Sequence, residues 1–277
     1  LPTESISLGE QHERYIRAFI LSLSVVFWIR LLDQPLPNET ESARRTFLRK
    51  VIEFWGQMDK SFSPWFIPPA TPYAWENMVH LEQKIYGDVF VPEDEGLSLN
   101  TNLLENIWVS YICIANGIPL WIIGQPGTSK SLSVNIVTTT LMAHRHSHRL
   151  VSALPVLNIQ TFICSEHSTP EALVDQVQRL AAKLQKVPKN DIFAALLLEE
   201  IAYADLSPSN PLKFLADVVD NGISTEDGNK CQISIIGLSN FRMNSSRLSR
   251  GITVIRTTMS ERERIKTAQD VFVSTVK

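Results

Sequence analysis

Cysteine is scarce in this chain: Cys113, Cys164 and Cys231 are its three in 277 residues. They lie far apart, are odd in number and form no C-x-x-C pair. That excludes a disulfide framework and a zinc-ribbon or RING site within these residues. They read as reduced thiols of a cytosolic or nuclear protein. A membrane-length apolar run is missing too. Ala18 to Ile29 is about a dozen residues between Arg17 and Arg30, short of the ~20 needed to span a bilayer, and is read as a buried helix. Nor is there a basic excess. Lys plus Arg number 26 against 29 Asp plus Glu, a net charge of −3, so nothing in the balance advertises nucleic acid. Hydrophobic content of 44% is ordinary for a globular protein, and the length suits one large domain or two small ones. The chain starts at Leu1 and stops at Lys277 inside an apparent helix, which suggests a fragment of a longer polypeptide.

What the chain does have is concentrated in Leu120-Trp121-Ile122-Ile123-Gly124-Gln125-Pro126-Gly127-Thr128-Ser129-Lys130-Ser131-Leu132. An apolar run meets a Gly/Pro turn that ends in Lys130-Ser131, and a helix-forming stretch follows. This is the layout of a phosphate-binding loop (Walker A): backbone N–H groups wrap a polyphosphate, the lysine neutralises it, and the hydroxyl holds Mg²⁺. The plain pattern is G-x-x-x-x-G-K-S/T, and Ser129 stands where its second glycine belongs. Serine is small and is expected to reach a helix-start conformation there, keeping the loop's shape.

Around this loop the texture changes. Residues 1–98 read as helical: Glu10 to Leu32, Thr40 to Met58 with Phe47, Val51, Phe54 and Trp55 at helical spacing, a proline-rich loop from Ser63 to Tyr73, and a helix from Tyr73 to Tyr86. Gly87 to Asn100 is acidic and turn-like and reads as a boundary. Beyond it helices alternate with short apolar runs. Asn102 to Asn116 is a predicted helix, Pro119 to Ile123 a strand, and Ser129 to Ala143 a helix. Val156 to Phe162 is a second strand. Ser168-Thr169-Pro170-Glu171 reads as a capping box opening a helix to Gln185. Ala194 to Leu198 is a third strand, Pro211 to Val219 a helix, Gly222 to Lys230 a polar loop, Gln232 to Gly237 a fourth strand and Ile252 to Ile255 a fifth. The alternation predicts a parallel sheet covered by helices on both faces, with ligands at the carboxyl ends of its strands.

Three further features fall at such ends or just before the next strand. The third strand runs into Glu199-Glu200, a Walker B pattern in which the first acid supports Mg²⁺ and the second orients the attacking water. The fourth ends in Leu238-Ser239-Asn240, where a polar side chain can contact the γ-phosphate and the lytic water. Arg247 and Arg250 lie just ahead of the fifth strand, where an arginine can project into a neighbour's site. The loop and each of these three has a bland alternative (a strand–helix turn, a solvated strand end, a turn residue, surface arginines), and it is the ordered set of four that points to a nucleotide-binding architecture. Glu199 replaces the usual aspartate, and its extra methylene moves the carboxylate by about 1.3–1.5 Å, on the scale of a backbone bond. It can then reach Mg²⁺ through a water or hold it poorly.

With these elements placed, the chain resembles an AAA+ ATPase core, and more narrowly the mysterin-type family of giant RING-finger AAA+ ubiquitin ligases. The resemblance is carried by Asn100-Thr101-Asn102 through Gly117-Ile118-Pro119-Leu120 into Gly124–Ser133, by Cys164-Ser165 with Ser168–Glu171, by Glu199-Glu200 through Ser207-Pro208 and Pro211-Leu212-Lys213, by Gly237–Asn240 and by Ser249–Ile252. It covers roughly residues 99–256 and extends weakly into Gln11 to Leu32. That family also has serine before the lysine, but Asp-Glu where this chain has Glu199-Glu200.

The resemblance implies an α/β fold: an AAA+ P-loop core with a five-stranded parallel sheet flanked by helices, preceded by a helical segment. Residues 1–98 would be the lid or linker of a preceding module, 99–256 the ATPase core, and 257–277 the start of this module's own lid. It implies ATP and Mg²⁺ as cofactors, with Gly124–Leu132 binding nucleotide, Ser131 and Glu199 serving the metal, and Glu200, Asn240 and Arg250 catalytic. Implied partners are adjacent AAA+ modules of one chain and, through the parent, the ubiquitin machinery, in the cytoplasm, with no nucleic acid and no membrane span. The expected function is ATP hydrolysis driving conformational change in a ubiquitin ligase. The alternatives are a structural or regulatory module that binds nucleotide without turnover, and an AAA+ motor or chaperone of another family.

Other stretches carry less. His144, His146 and His148 invite a metal, but the interleaved arginines oppose a cation, and a solvated loop is expected. Phe62, Trp65, Phe66, Tyr73 and Trp75 are expected to pack between helices, and Glu261–Arg264 to form a solvated helix face.

Overall fold

The computed structural model describes residues 8–35, 39–57, 71–91, 96–143, 149–184, 192–224, 230–231, 233–259 and 261–275. The chain forms two compact units, Leu1–Glu82 and Gln83–Lys277.

The first unit is helical. α1 (Leu8–Val26) is followed by a 3-10 turn (Trp28–Arg30) and α2 (Ala43–Gln57), and α3 (Pro72–Phe90) begins within it. α2 starts at Ala43 because the Ser42 hydroxyl caps it, accepting from the Arg45 N–H at 3.3 Å. α3 starts at Pro72 because Thr71 does the same for Ala74 at 3.1 Å. Ile20, Trp28, Ile29, Leu48, Trp75 and Val79 are buried together in this unit's core. The Trp75 indole donates to Ser24 Oγ at 2.9 Å, and the Arg44 guanidinium lies 4.3 Å from the Trp28 ring centroid. Two expectations shift. Arg44 and Leu48 are the buried residues of α2, while Phe54 is 67% exposed and outside the packed stripe. Trp75 is buried as expected but Tyr73 is not, and Phe62, Trp65 and Phe66 lie outside the described residues.

The second unit carries the predicted sheet. α4 (Thr101–Asn116) leads into β1 (Leu120–Gly124) and α5 (Lys130–Ala143); after α6 (Arg149–Ser152) come β2 (Val156–Ile163), α7 (Pro170–Leu184), β3 (Ile192–Glu199), α8 (Ile201–Asp205) and α9 (Leu212–Asn221). A two-stranded antiparallel ribbon, β4 (Ile223–Ser224) with β5 (Lys230–Cys231), takes part of the expected polar loop. β6 (Ser234–Ser239), α10 (Ser245–Leu248), β7 (Ile252–Arg256) and α11 (Glu261–Thr275) complete it. The strands of the main sheet are all parallel, in the order β2-β3-β6-β1-β7. Successive side chains face opposite sides. Trp121, Ile123, Leu196, Leu198 and Ile235 pack with Leu173, Val177 and Leu180 of α7 and Leu212, Leu215 and Val218 of α9. α4 and α5 pack against the sheet as well. No described helix is long and apolar enough to cross a membrane.

Local chemistry explains where the boundaries differ from expectation. Gly87 is helical rather than a turn: a Cβ there would come within 2.3 Å of Leu104 Cδ2, so it is a close-packing glycine against α4. Asn100 caps α4, accepting from the Leu103 N–H at 2.9 Å, and Gly117 closes it at φ 63°. The Ser168 capping box is not formed. Thr169 caps α7, accepting from Ala172 at 3.3 Å, while the Ser168 hydroxyl accepts from the Ser165 N–H at 2.9 Å. Cys113 and Cys164 are free and buried, and burial pushes the Cys164 thiol up to about 12. His144, His146 and His148 lie outside the described residues.

Candidate functional site

Parallel register brings the informative residues to one edge of the sheet. Ile123 is level with Ser239, Gly124 with Arg256, and Leu198 with Gly237. The loop after β1, the acids at the end of β3 and Asn240 after β6 therefore emerge side by side. Because β6 lies between β3 and β1, Asn240 sits between the two flanking loops.

The β1 loop begins at a glycine for a steric reason. A Cβ on Gly124 would lie 2.8 Å from the Arg256 carbonyl oxygen and 2.9 Å from Thr128 Oγ1. Gly127 turns the chain at φ 83°. The Thr128 hydroxyl donates to the Gln125 carbonyl at 2.8 Å and tightens the bend. Ser129 then adopts φ 59°, in the left-handed region, not a helix-start conformation. That is why α5 opens at Lys130 rather than at Ser129. Its carbonyl still accepts the first helical bond, from Ser133 at 3.0 Å. An L-residue in this region costs roughly 1–2 kcal/mol, a cost that the glycine of the plain pattern avoids. Ser131 and Leu132 are exposed on the first turn of α5.

Lys130 is buried, and its ammonium donates to the Gly124 carbonyl, to the Gln125 carbonyl at 2.9 Å and to Asn240 Oδ1 at 3.1 Å. The same Asn240 amide donates through Nδ2 to Glu200 Oε1 at 2.8 Å. Lysine only donates, so it fixes which end of the Asn240 amide faces it. Burial holds the Lys130 ammonium below its ordinary lysine value, and the Glu200 carboxylate opposes that shift.

Glu200 is the second strained residue of the site, at φ 53° between β3 and α8. Its Oε2 is buried with no hydrogen-bond partner among the described residues, a costly condition that points toward a group outside this chain. Glu199, the last residue of β3, is half-buried. Its backbone carbonyl accepts from the Cys164 N–H at 2.9 Å, tying the acidic turn to the end of β2. Tyr203, on α8 just after Glu200, and Phe241, next to Asn240, pack edge to face at 5.1 Å and are partly exposed.

The structure thus joins Lys130, Asn240 and Glu200 through hydrogen bonds, with Ser131 on the first turn of α5 after β1 and Glu199 at the end of β3, one strand removed across β6. Arg250 stands apart: its guanidinium pairs with Asp220 and donates to the Ala216 carbonyl of α9 at 3.4 Å. The Arg247 side chain lies outside those described. No group of three or more potential metal ligands occurs among the described residues.

Sequence reading missed the support beneath the loop. Glu105 and Asn106 of α4 are buried, as is Arg256 at the end of β7. The Arg256 guanidinium pairs with Glu105 and donates through Nε to Asn106 Oδ1 at 2.7 Å. Asn106 Nδ2 in turn donates to the Thr128 carbonyl at 3.3 Å. The available signal was an acid and an amide in an otherwise apolar helix, and an arginine closing a buried strand.

A family model described as the RNF213 AAA domain matches residues 96–263. The E3 ubiquitin-protein ligase RNF213 of Homo sapiens is 29% identical over 187 residues, which are 67% of this chain and 4% of that protein. The E3 ubiquitin-protein ligase rnf213-beta of Danio rerio is 31% identical over 180 residues, 64% of this chain and 4% of the relative. The chain therefore spans a small part of the curated relatives it matches. Among solved structures, the ORC2 protein of Aeropyrum pernix in its ADP form aligns with a TM-score of 0.46 at 12% identity, over 69% of this chain and 56% of that one.

Proposed function

The chain belongs to the RNF213 AAA domain family, and from that premise we propose that this module binds ATP with Mg²⁺ and hydrolyses it, driving conformational change in a larger ubiquitin-ligase chain. The observation that carries the reading is the hydrogen-bonded series Lys130–Asn240–Glu200, built from three separate strand ends. Lys130 neutralises the β- and γ-phosphates. The loop Gly124 through Leu132 surrounds the polyphosphate at the start of α5 with its backbone N–H groups, Pro126 contributing none. Asn240 senses the γ-phosphate, and Glu200, with its unpartnered Oε2, accepts the proton of the attacking water. Ser131 would ligate Mg²⁺ and Glu199 would stand in its outer shell, a hydroxyl and a carboxylate of the kind that hard cation takes. When bound there, Mg²⁺ would supply neutralisation of the phosphate charge.

Arg250 serves an adjacent module only after giving up Asp220, so its contact with α9 is one to be exchanged. Residues 1–98 act as lid or linker of a preceding module, 99–256 as the ATPase core and 257–277 as the start of the lid. Work is done in the cytoplasm, with neighbouring AAA+ modules and the ubiquitin machinery as partners.

A second reading, binding without turnover, is favoured by Glu199 in place of aspartate, since the longer side chain alters the metal's position. Glu200→Gln separates the two. In the chain and in a longer one carrying the neighbouring modules, hydrolysis is expected to fall about 10²–10³-fold with ADP affinity nearly retained. Hydrolysis unaffected by the substitution sinks the catalytic assignment.

A further inference from the structure

Ser129 takes a left-handed conformation that its side chain disfavours, at the loop position where the plain pattern has its second glycine. Something outside residue 129 has to hold it there. The adjacent contact is Asn106: its Nδ2 donates to the carbonyl of Thr128, and that carbonyl belongs to the same peptide unit as the Ser129 N–H. A trans peptide is planar, with C=O and N–H opposed. Drawing the Thr128 oxygen toward α4 therefore turns the Ser129 N–H away from α4.

Asn106 is itself anchored. Its Oδ1 accepts from Arg256 Nε at 2.7 Å, and a guanidinium only donates, so the amide cannot be reversed without losing that bond. Arg256 in turn pairs with Glu105 and stands in register with Gly124, the first residue of the loop. The brace and the loop are thus tied at both ends of the bend. Asn106 is fully buried, so neither bond competes with water.

We infer that Asn106 is a positioning residue for phosphate binding. Held by Arg256, it fixes the Thr128–Ser129 peptide with its N–H on the phosphate side, and so supplies from α4 the backbone geometry that glycine would otherwise allow at 129. The inference rests on the nucleotide-binding reading of the loop.

Asn106→Asp is the discriminating variant. It keeps the acceptor for Arg256 but replaces the donor facing the Thr128 carbonyl with an oxygen. Isothermal titration with Mg·ADP is expected to show about a tenfold loss of affinity, and the thermal midpoint is expected to fall, because a buried carboxylate oxygen then faces the Thr128 carbonyl. Adding Ser129→Gly to Asn106→Asp is expected to restore most of that affinity, a larger gain than Ser129→Gly brings in the wild-type background. Equal affinity in wild type and Asn106→Asp, or the same Ser129→Gly effect in both backgrounds, overturns the inference. If Asn106→Asp does not fold, Asn106→Ala takes its place in the same cycle. Amide exchange across residues 127–131 provides a readout that needs no nucleotide: about tenfold faster exchange in the variant is expected, and unchanged exchange also overturns the inference. A wild-type chain that binds Mg·ADP no better than Lys130→Ala marks failure of the nucleotide reading instead, and the exchange result still decides the brace.

Discussion

Asn240 donates to Glu200 at 2.8 Å with one end of its amide while the other end accepts from the Lys130 ammonium at 3.1 Å. Both directions of the amide are used, so aspartate, with no donor, cannot substitute for it. Asn240→Asp would also set a second carboxylate against Glu200. On the nucleotide reading, hydrolysis is expected to fall about 10–100-fold in the variant, the loss of one well-placed polar contact to the reacting groups. ADP affinity should change far less, because the phosphates are held chiefly by the loop. Single-turnover hydrolysis measured alongside ADP titration checks this; an affinity loss as large as the rate loss would refute it.

The buried pair of Arg256 with Glu105 makes a second prediction. Both side chains are almost wholly enclosed. Removing one charge leaves the other buried without its partner, at a cost of about 3–5 kcal/mol. Glu105→Ala and Arg256→Ala should each lower the urea midpoint accordingly. Arg256→Ala should cost more, since it also releases Asn106. Losses below about 1 kcal/mol would mean that the pair is replaced by water.

The sheet was legible in the sequence because its strands are short apolar runs that end in turn or charged residues, and each fell within two residues of its expected place. That the loop after β1, Glu199-Glu200 and Asn240 would meet along one edge of the sheet was legible because their order along the chain reports their strand ends. The support of the loop was not. Asn106 and Arg256 are 150 positions apart, and no periodicity links a buried amide in α4 to an arginine closing β7. The conformation of Ser129 was hidden for a related reason. Local propensity puts serine at a helix start, and only contacts from α4 and the bend at Gly127 favour the left-handed alternative. Gly87 was misread because a glycine in an acidic stretch resembles a turn, whereas here it answers the bulk of Leu104.

Gly237 and Trp121 are matched in size. A Cβ on Gly237 would lie 2.6 Å from Trp121 Cε3 and 2.9 Å from Ile201 Cδ1. Gly237→Ala is expected to destabilise the chain by about 1–3 kcal/mol through overpacking. Trp121→Phe removes part of the indole, so the double variant should lose less than the two single losses combined. A denaturation cycle measures the coupling; strict additivity would show that the strand yields elsewhere.

Lys130 gives opposite pH dependences for stability and for binding. Burial lowers its folded pKa below the 10.5 of an ordinary lysine. Between that lowered value and 10.5, the folded chain holds fewer protons at this group than the unfolded chain, so its contribution to stability rises with pH. Polyphosphate prefers the charged ammonium and raises the pKa again, so binding takes up a proton in the same range. ADP affinity is therefore expected to fall as pH rises through the lowered value, toward a limiting slope of about tenfold per pH unit. Lys130→Met should remove both dependences, leaving lower but flatter affinity. Titrations and urea melts of the two proteins across this alkaline range test the pair of signs. Affinity in the wild type that tracks Lys130→Met throughout would show that the ammonium does not meet the phosphates.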